Sequence, residues 1–174
     1  MIIRSDFVNN DTISHLLWAL TPTNKIICEL CLQTGWRVDD VLRLKTEDIK
    51  NAQKTRNGRI TITEQKTKKR STKYLSKELL EALARQGGRV WLFEGRDDYR
   101  KHRSRQAVFK DLKKTAKNFR VNINLSPHSL RKNYAVSLRQ QGKDLNEIQN
   151  ALNHDNLITT MIYALADEMT NKYK

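Results

Sequence analysis

Acidic residues, cysteines, prolines, glycines and long apolar runs are all scarce in this sequence, and each scarcity removes a class of protein. Nowhere do 18 apolar residues follow one another, and Asp6, Asn9, Asn10 and Asp11 interrupt the N-terminus. Neither a membrane-crossing helix nor a signal peptide is therefore expected, and the chain reads as intracellular. Two cysteines, Cys28 and Cys31, form a Cys-x-x-Cys, but no second ligand pair offers a zinc site and no strand feeds a helix there. They lie in the apolar stretch Ile26–Leu32 and read as small core residues, so no metal is expected. With 6 glycines and 2 prolines there is no repeat, low-complexity tract or interdomain linker, and 174 residues make one domain.

The acidic deficit carries more information. Lys and Arg number 33 against 19 Asp and Glu, a net charge of +14. A surplus of that size concentrates polyanions, and nucleic acid is the default partner. An acidic membrane surface would want a basic amphipathic terminal helix, and none is evident, so no membrane contact is expected.

Periodicity then places the elements. Asn10 or Asp11 caps a first helix with Ile13, Leu16, Leu17 and Leu20 inside. Pro22 opens a second, with Ile26, Ile27, Leu30 and Cys31 inside, and Gly35 ends it, leaving Arg37 at a turn. Val38, Val41, Leu42 and Leu44 mark a short third helix. Asn57-Gly58 is a hairpin signal, and Arg59–Thr63 alternates apolar and polar. With a weaker strand before it and Ser71–Leu75 after it, the expectation is a three-stranded antiparallel sheet. The turn before the last strand, Gln65–Arg70, carries four cations in six residues. Ser76 caps a helix closed by Gly87-Gly88, and Val90–Phe93 is a short buried extended segment. A helix from about Ser104 buries Val108, Leu112 and Phe119 and turns Lys110, Lys113, Lys114 and Lys117 outward. Pro127 opens a helix that Gly142 stops, Asp144 and Glu147 have capping-box spacing for another, and a last helix covers about Asn156 to Leu165 with Leu157, Ile158, Met161 and Ile162 apolar. The fold class is α+β, mainly α-helical.

Displacement at a phosphodiester needs a nucleophile, a proton donor for the leaving oxygen, and positive charge on the non-bridging oxygens. Arg37 and Arg131 each follow a helix break and could converge on one phosphate with their planar forks. His128 and Arg131, three apart, share a face at a helix start. His154 projects from a turn, and Tyr163 follows nine residues later. Alone, the His-x-x-Arg is a surface pair and the tyrosine a core residue. Together, in the order Arg, His-x-x-Arg, His, Tyr, they make a constellation.

That constellation resembles the tyrosine recombinases, the phage-integrase family, over roughly residues 5 to 165. The family's Thr-Gly-x-Arg with an acidic residue three places on is met by Thr34, Gly35, Arg37 and Asp40. Its His-x-Leu-Arg is met by His128, Leu130 and Arg131, its Leu-Gly-His by Leu152, Asn153 and His154, and its Thr-x-x-Tyr by Thr160 and Tyr163. Asn stands where the family has glycine, and asparagine tolerates the left-handed turn better than most residues. The family's hairpin lysine is matched by Lys66, with Lys68 and Lys69 as neighbours.

The resemblance implies the recombinase catalytic-domain fold and site-specific DNA cleavage and rejoining through a 3′-phosphotyrosyl link, without ATP, metal or other cofactor. Tyr163 would be the nucleophile. Arg37, Arg131 and His154 would hold the phosphate, Lys66 would protonate the leaving oxygen, His128 would move the phenol proton, and Asp40 would orient the others. Lys68, Lys69, Arg70 and Lys132 are the expected DNA contacts. Double-stranded DNA is the expected partner, in a tetramer assembled on two sites from monomers, with accessory DNA-bending proteins as further candidates; the setting is the bacterial or phage nucleoid. Only 36 residues precede Arg37, so a single catalytic domain over 1–174 is expected without the N-terminal clamp domain, and 164–174 is a tail suited to docking on a neighbouring protomer. The rivals are a type IB topoisomerase and a non-catalytic DNA-binding module.

Overall fold

The computed structural model describes residues 6–171, which form α1 (Asn10–Trp18), α2 (Pro22–Thr34), α3 (Val38–Leu42), α4 (Thr46–Gln53), β1 (Arg59–Thr63), β2 (Arg70–Tyr74), α5 (Lys77–Gln86), α6 (Arg105–Asn118), α7 (Pro127–Gln140), α8 (Leu145–Leu152), α9 (Leu157–Ala164) and α10 (Ala166–Asn171). Helix starts follow local hydrogen-bond chemistry. Asn9, one residue before the expected caps, accepts from the Thr12 amide at 2.8 Å. Ser76, Ser104, Ser126 and Asp144 cap α5, α6, α7 and α8 through their side chains.

The sheet has two strands among the described residues, paired antiparallel with Arg59 opposite Tyr74 and Thr63 opposite Arg70. The expected first strand is α4 instead. Asp48 accepts from the Lys45 amide at 2.7 Å and so caps that helix, which buries Ile49 and Ala52. Asn57-Gly58 joins helix to strand rather than strand to strand: Gly58 has a φ of 64°, and its carbonyl accepts from Leu75 N at 3.0 Å. Val90–Phe93 is extended as expected but makes a single isolated bridge among the described residues, Trp91 to Lys45.

The core lies between α1–α3 and the β-ribbon with α4–α6, and α7 runs through the middle. Helix α7 packs on α2, α8, α9 and α10, and is buried nearly all round, including Arg131, Lys132 and Asn133. Cys28 and Cys31 are free thiols in this core, and burial pushes Cys31 up to about 12. One apolar expectation fails: Phe119 lies past the end of α6 and is exposed. The apolar Leu157, Ile158 and Met161 of α9 are also exposed. Helix α9 turns its Thr160, Tyr163 and Ala164 side inward, and Tyr163 packs against Ala135, Ile148, Leu152 and Ala164. In the expected tail, α10 lies against α7 and α9; residues 172–174 fall outside the described residues. No described helix is long and apolar enough to cross a membrane.

Gly35 fixes how α2 meets α7. Its φ is 69°, and a Cβ there would sit 2.2 Å from Cδ1 of Tyr134. Left-handed strain and overpacking add, so Gly35→Ala should destabilise by roughly 2–4 kcal/mol, read as a lower denaturant midpoint.

Candidate active site

Two turns, the start of α3 and the start of α7 meet at an open cleft of about 740 Å³. The α2–α3 turn brings Arg37, α3 brings Asp40, the β1–β2 turn brings Lys66, and α7 brings His128 and Arg131; all five line the cleft. Arg105 and Lys113 of α6 line it as well. His154, on the turn after α8, and Tyr163, on α9, do not line it but adjoin it through His128 and the arginines.

Arg131 is 3% exposed and holds the turns together: Nη1 donates to the Gly35 carbonyl and Nη2 to the Leu152 carbonyl. Burial, then Arg37, pull its pKa down to about 10, so it stays charged at neutral pH. Tyr163 Oη is 3.2 Å from His128 Nδ1, and the Tyr163 ring stands edge-on to His154 at 5.2 Å between centroids. Desolvation raises the Tyr163 pKa, with Arg131 and Arg37 pulling it back. Desolvation and the nearby arginines Arg131, Arg105 and Arg37 hold His128 below the ordinary histidine value. His154 is lowered to about 3 by burial and then Arg131 and Arg37, so it is a neutral donor; its Nδ1 bonds Thr160 Oγ1 at 3.1 Å. Asn153 has the left-handed conformation expected of it, with φ 50°.

Asp40 does not reach an arginine by a hydrogen bond. Its Oδ1 accepts from Gln65 N at 2.8 Å, tying α3 to the Lys66 turn; its Oδ2 lacks a hydrogen-bond partner among the described residues, and burial, then repulsion from Glu64 among others, raises its pKa. The carboxylate on Arg37 is Glu64, which sequence reasoning passed over. Lys68 and Arg70 are exposed as expected, and Lys69 Nζ pairs with Asp155 at 2.7 Å. Lys132 is buried, 3% exposed, with Nζ 5.8 Å from the Tyr163 ring centroid, unlike the exposed Lys68 and Arg70.

Lys73 was also missed. On the inward face of β2, its ammonium donates to Tyr134 Oη at 3.0 Å and to the Ala151 carbonyl at 2.7 Å, beneath Arg131. Burial, then Arg131, lower its pKa to about 8. The unfolded chain therefore binds more protons than the folded one from pH 8 to 10, and this group adds stability as pH rises through that window. The thiols and tyrosines with raised values oppose this at the upper end, and they cancel in a comparison with Lys73→Met. The wild type should gain on the order of 2–3 kcal/mol relative to that variant between pH 8 and 10, measured by urea unfolding.

Residues 6–169 match the model of the phage integrase family. Among relatives, a tyrosine recombinase of Thermosipho africanus is 28% identical over 170 residues, covering 91% of this chain and 56% of the relative. An integrase of Escherichia phage P2 is 30% identical over 161 residues, covering 92% and 43%. The chain thus spans about half the length of the curated relatives it matches. Solved structures share the fold: XerA recombinase (TM-score 0.74, 19% identity, 100% of this chain and 66% of that one) and the catalytic domain of bacteriophage HP1 integrase (0.67, 22%, 93% and 88%). The XerH site-specific recombinase, in a post-cleavage complex with palindromic difH substrate, superposes with TM-score 0.74 at 20% identity, over 97% of this chain and 53% of that one. The family match over nearly the whole chain, together with the convergence of Arg37, His128, Arg131, His154 and Tyr163, makes this chain a member of the phage integrase family, the tyrosine recombinases, corresponding to their catalytic domain.

Proposed function

We propose that residues 1–174 form the catalytic domain of a site-specific DNA recombinase that cuts and rejoins strands through a phosphotyrosyl link. The observation that carries this is the Tyr163 hydroxyl, held at 3.2 Å by a histidine kept neutral, beside a cleft lined by Arg37, Lys66 and Arg131. A phosphodiester in that cleft would place its non-bridging oxygens on the two guanidinium groups, with neutral His154 adding a hydrogen bond. Tyr163 Oη attacks phosphorus while its proton passes to unprotonated Nδ1 of His128. The bond to the 5′ oxygen breaks and Lys66 protonates that oxygen. Attack by the 5′-hydroxyl of a partner strand reverses the sequence, so the bond energy is retained and no metal or nucleotide is needed. The exposed Lys68, Lys69 and Arg70 would contact the duplex backbone. The working assembly would be a tetramer on two DNA sites, formed from monomers that light scattering should find in the absence of DNA.

The test is a nicked duplex carrying a candidate site, incubated without metal or ATP and run on a denaturing gel. A covalent protein–DNA band, mapped to Tyr163 by peptide mass spectrometry, is expected; its absence despite tight binding would favour a non-catalytic DNA-binding module. Exchange between two labelled duplexes separates recombinase from topoisomerase. Because His128 acts as base and its pKa is held below the ordinary value near 6.5, the covalent rate should be flat through neutrality and fall only below about pH 6.5. A rate that already falls between pH 8 and 7 would remove His128 from that role.

A further inference from the structure

The turns that carry Lys66 and His154 are joined on both sides of those residues. Glu64 and Lys69 close the β1–β2 turn, with the Glu64 amide donating to the Lys69 carbonyl at 3.0 Å. Asn153 and Asp155 flank His154. Glu64 meets Asn153, whose Nδ2 donates to Oε1 at 2.8 Å, and Lys69 meets Asp155. The second link is exposed at both ends and contributes little. The first is part-buried, its Glu64 side chain only 1% exposed, and the other Glu64 oxygen accepts from Arg37 Nη1 and from Thr67 Oγ1 at 3.3 Å. One carboxylate therefore ties together the arginine of the α2–α3 turn, the lysine turn and the histidine turn.

We infer that Glu64 and Asn153 are positioning residues that lock Arg37, the Lys66 turn and the His154 turn in their working arrangement before DNA arrives. Two features of this chain support this. Asn153 stands in the left-handed position that the family motif fills with glycine, and unlike glycine it brings a side-chain donor that reaches Glu64. A buried carboxylate is also retained only where its lone pairs are met, and both Glu64 oxygens are met by groups from the segments it joins. Glu64, not Asp40, is thus the group that orients Arg37. This inference rests on the proposed function and refines it.

The test uses single-turnover covalent-complex formation on the nicked duplex. Asn153→Gly keeps the backbone conformation and removes the link, so the covalent step should slow about tenfold while duplex affinity stays within about twofold. Asn153→Asp opposes two carboxylates and should be slower still. Adding Glu64→Gln to Asn153→Asp swaps donor and acceptor, leaves the charge as in the wild type, and should bring the rate back to within about threefold. A wild-type rate in Asn153→Gly, or a double variant no faster than Asn153→Asp, overturns the inference. Should the wild type form no covalent complex, the functional reading fails separately, and hydrogen exchange in the free protein decides on the link. The Glu64 and Lys68 amides should then exchange about tenfold faster in Asn153→Gly with the Gly35 amide unchanged; equal exchange at all three overturns it.

Discussion

Tyr163→Phe should remove the covalent DNA complex altogether while leaving duplex affinity within about threefold, because the change deletes one oxygen and no charge. The ring packs against Ala135, Ile148, Leu152 and Ala164 and stands edge-on to His154, and phenylalanine keeps both contacts. What is lost is the 3.2 Å bond to His128, whose imidazole then faces the cleft and solvent. A half-buried hydroxyl with one partner is worth about 1 kcal/mol, so the melting temperature should move by only a few degrees. Full affinity and near-native stability with no band on a denaturing gel would identify the oxygen as the nucleophile. A residual band at a tenth of the wild-type intensity or more would show that another side chain attacks, and the role of His128 would have to be reassigned with it.

The constellation was legible because its members sit at helix starts and turns, where short spacings constrain geometry. Pro127 and Ser126 fix the start of α7, which puts His128 and Arg131 on one face; Gly35 and Asn153 fix the turns that carry Arg37 and His154. Spacing could not show what Arg131 does with two of its donors, since Gly35 and Leu152 lie 96 and 21 residues away. Glu64 and Lys73 were invisible for a related reason. Period two does put Glu64 inward after Ile60 and Ile62, and Lys73 inward between Ser71 and Leu75. A charge at an inward position reads as a surface residue until its partners are known, and those of Glu64 are 27 and 89 residues distant. The false first strand came from turn chemistry: Asn57-Gly58 marks a reversal, but a helix can enter that reversal as readily as a strand. On α9 the period alone did not say which side packs: Leu157, Ile158 and Met161 are exposed, and the side that packs is the one with Thr160, Tyr163 and Ala164.

Arg131 differs from Tyr163 in that, on the proposed function, it serves the fold and the site at once, and its replacement should show both losses. Arg131→Ala leaves the Gly35 and Leu152 carbonyls without their donor in a buried setting, a cost of about 2–4 kcal/mol in unfolding experiments. On the proposed mechanism it also removes a fork from the phosphate, an expected loss of about 10²–10³ in the covalent rate beyond any loss from unfolding. Arg131→Lys separates the two. A lysine restores charge, and its point-like ammonium can meet one carbonyl but cannot span two and still face an anion. It should recover more than half of the lost stability and little of the rate, remaining about 10²-fold slow at a temperature where it is fully folded. Were the lysine variant to cleave within a few-fold of the wild type, charge alone would suffice at this position. The two backbone bonds would then be a matter of folding, and the burden of shaping the phosphate site would pass to Arg37, held by Glu64.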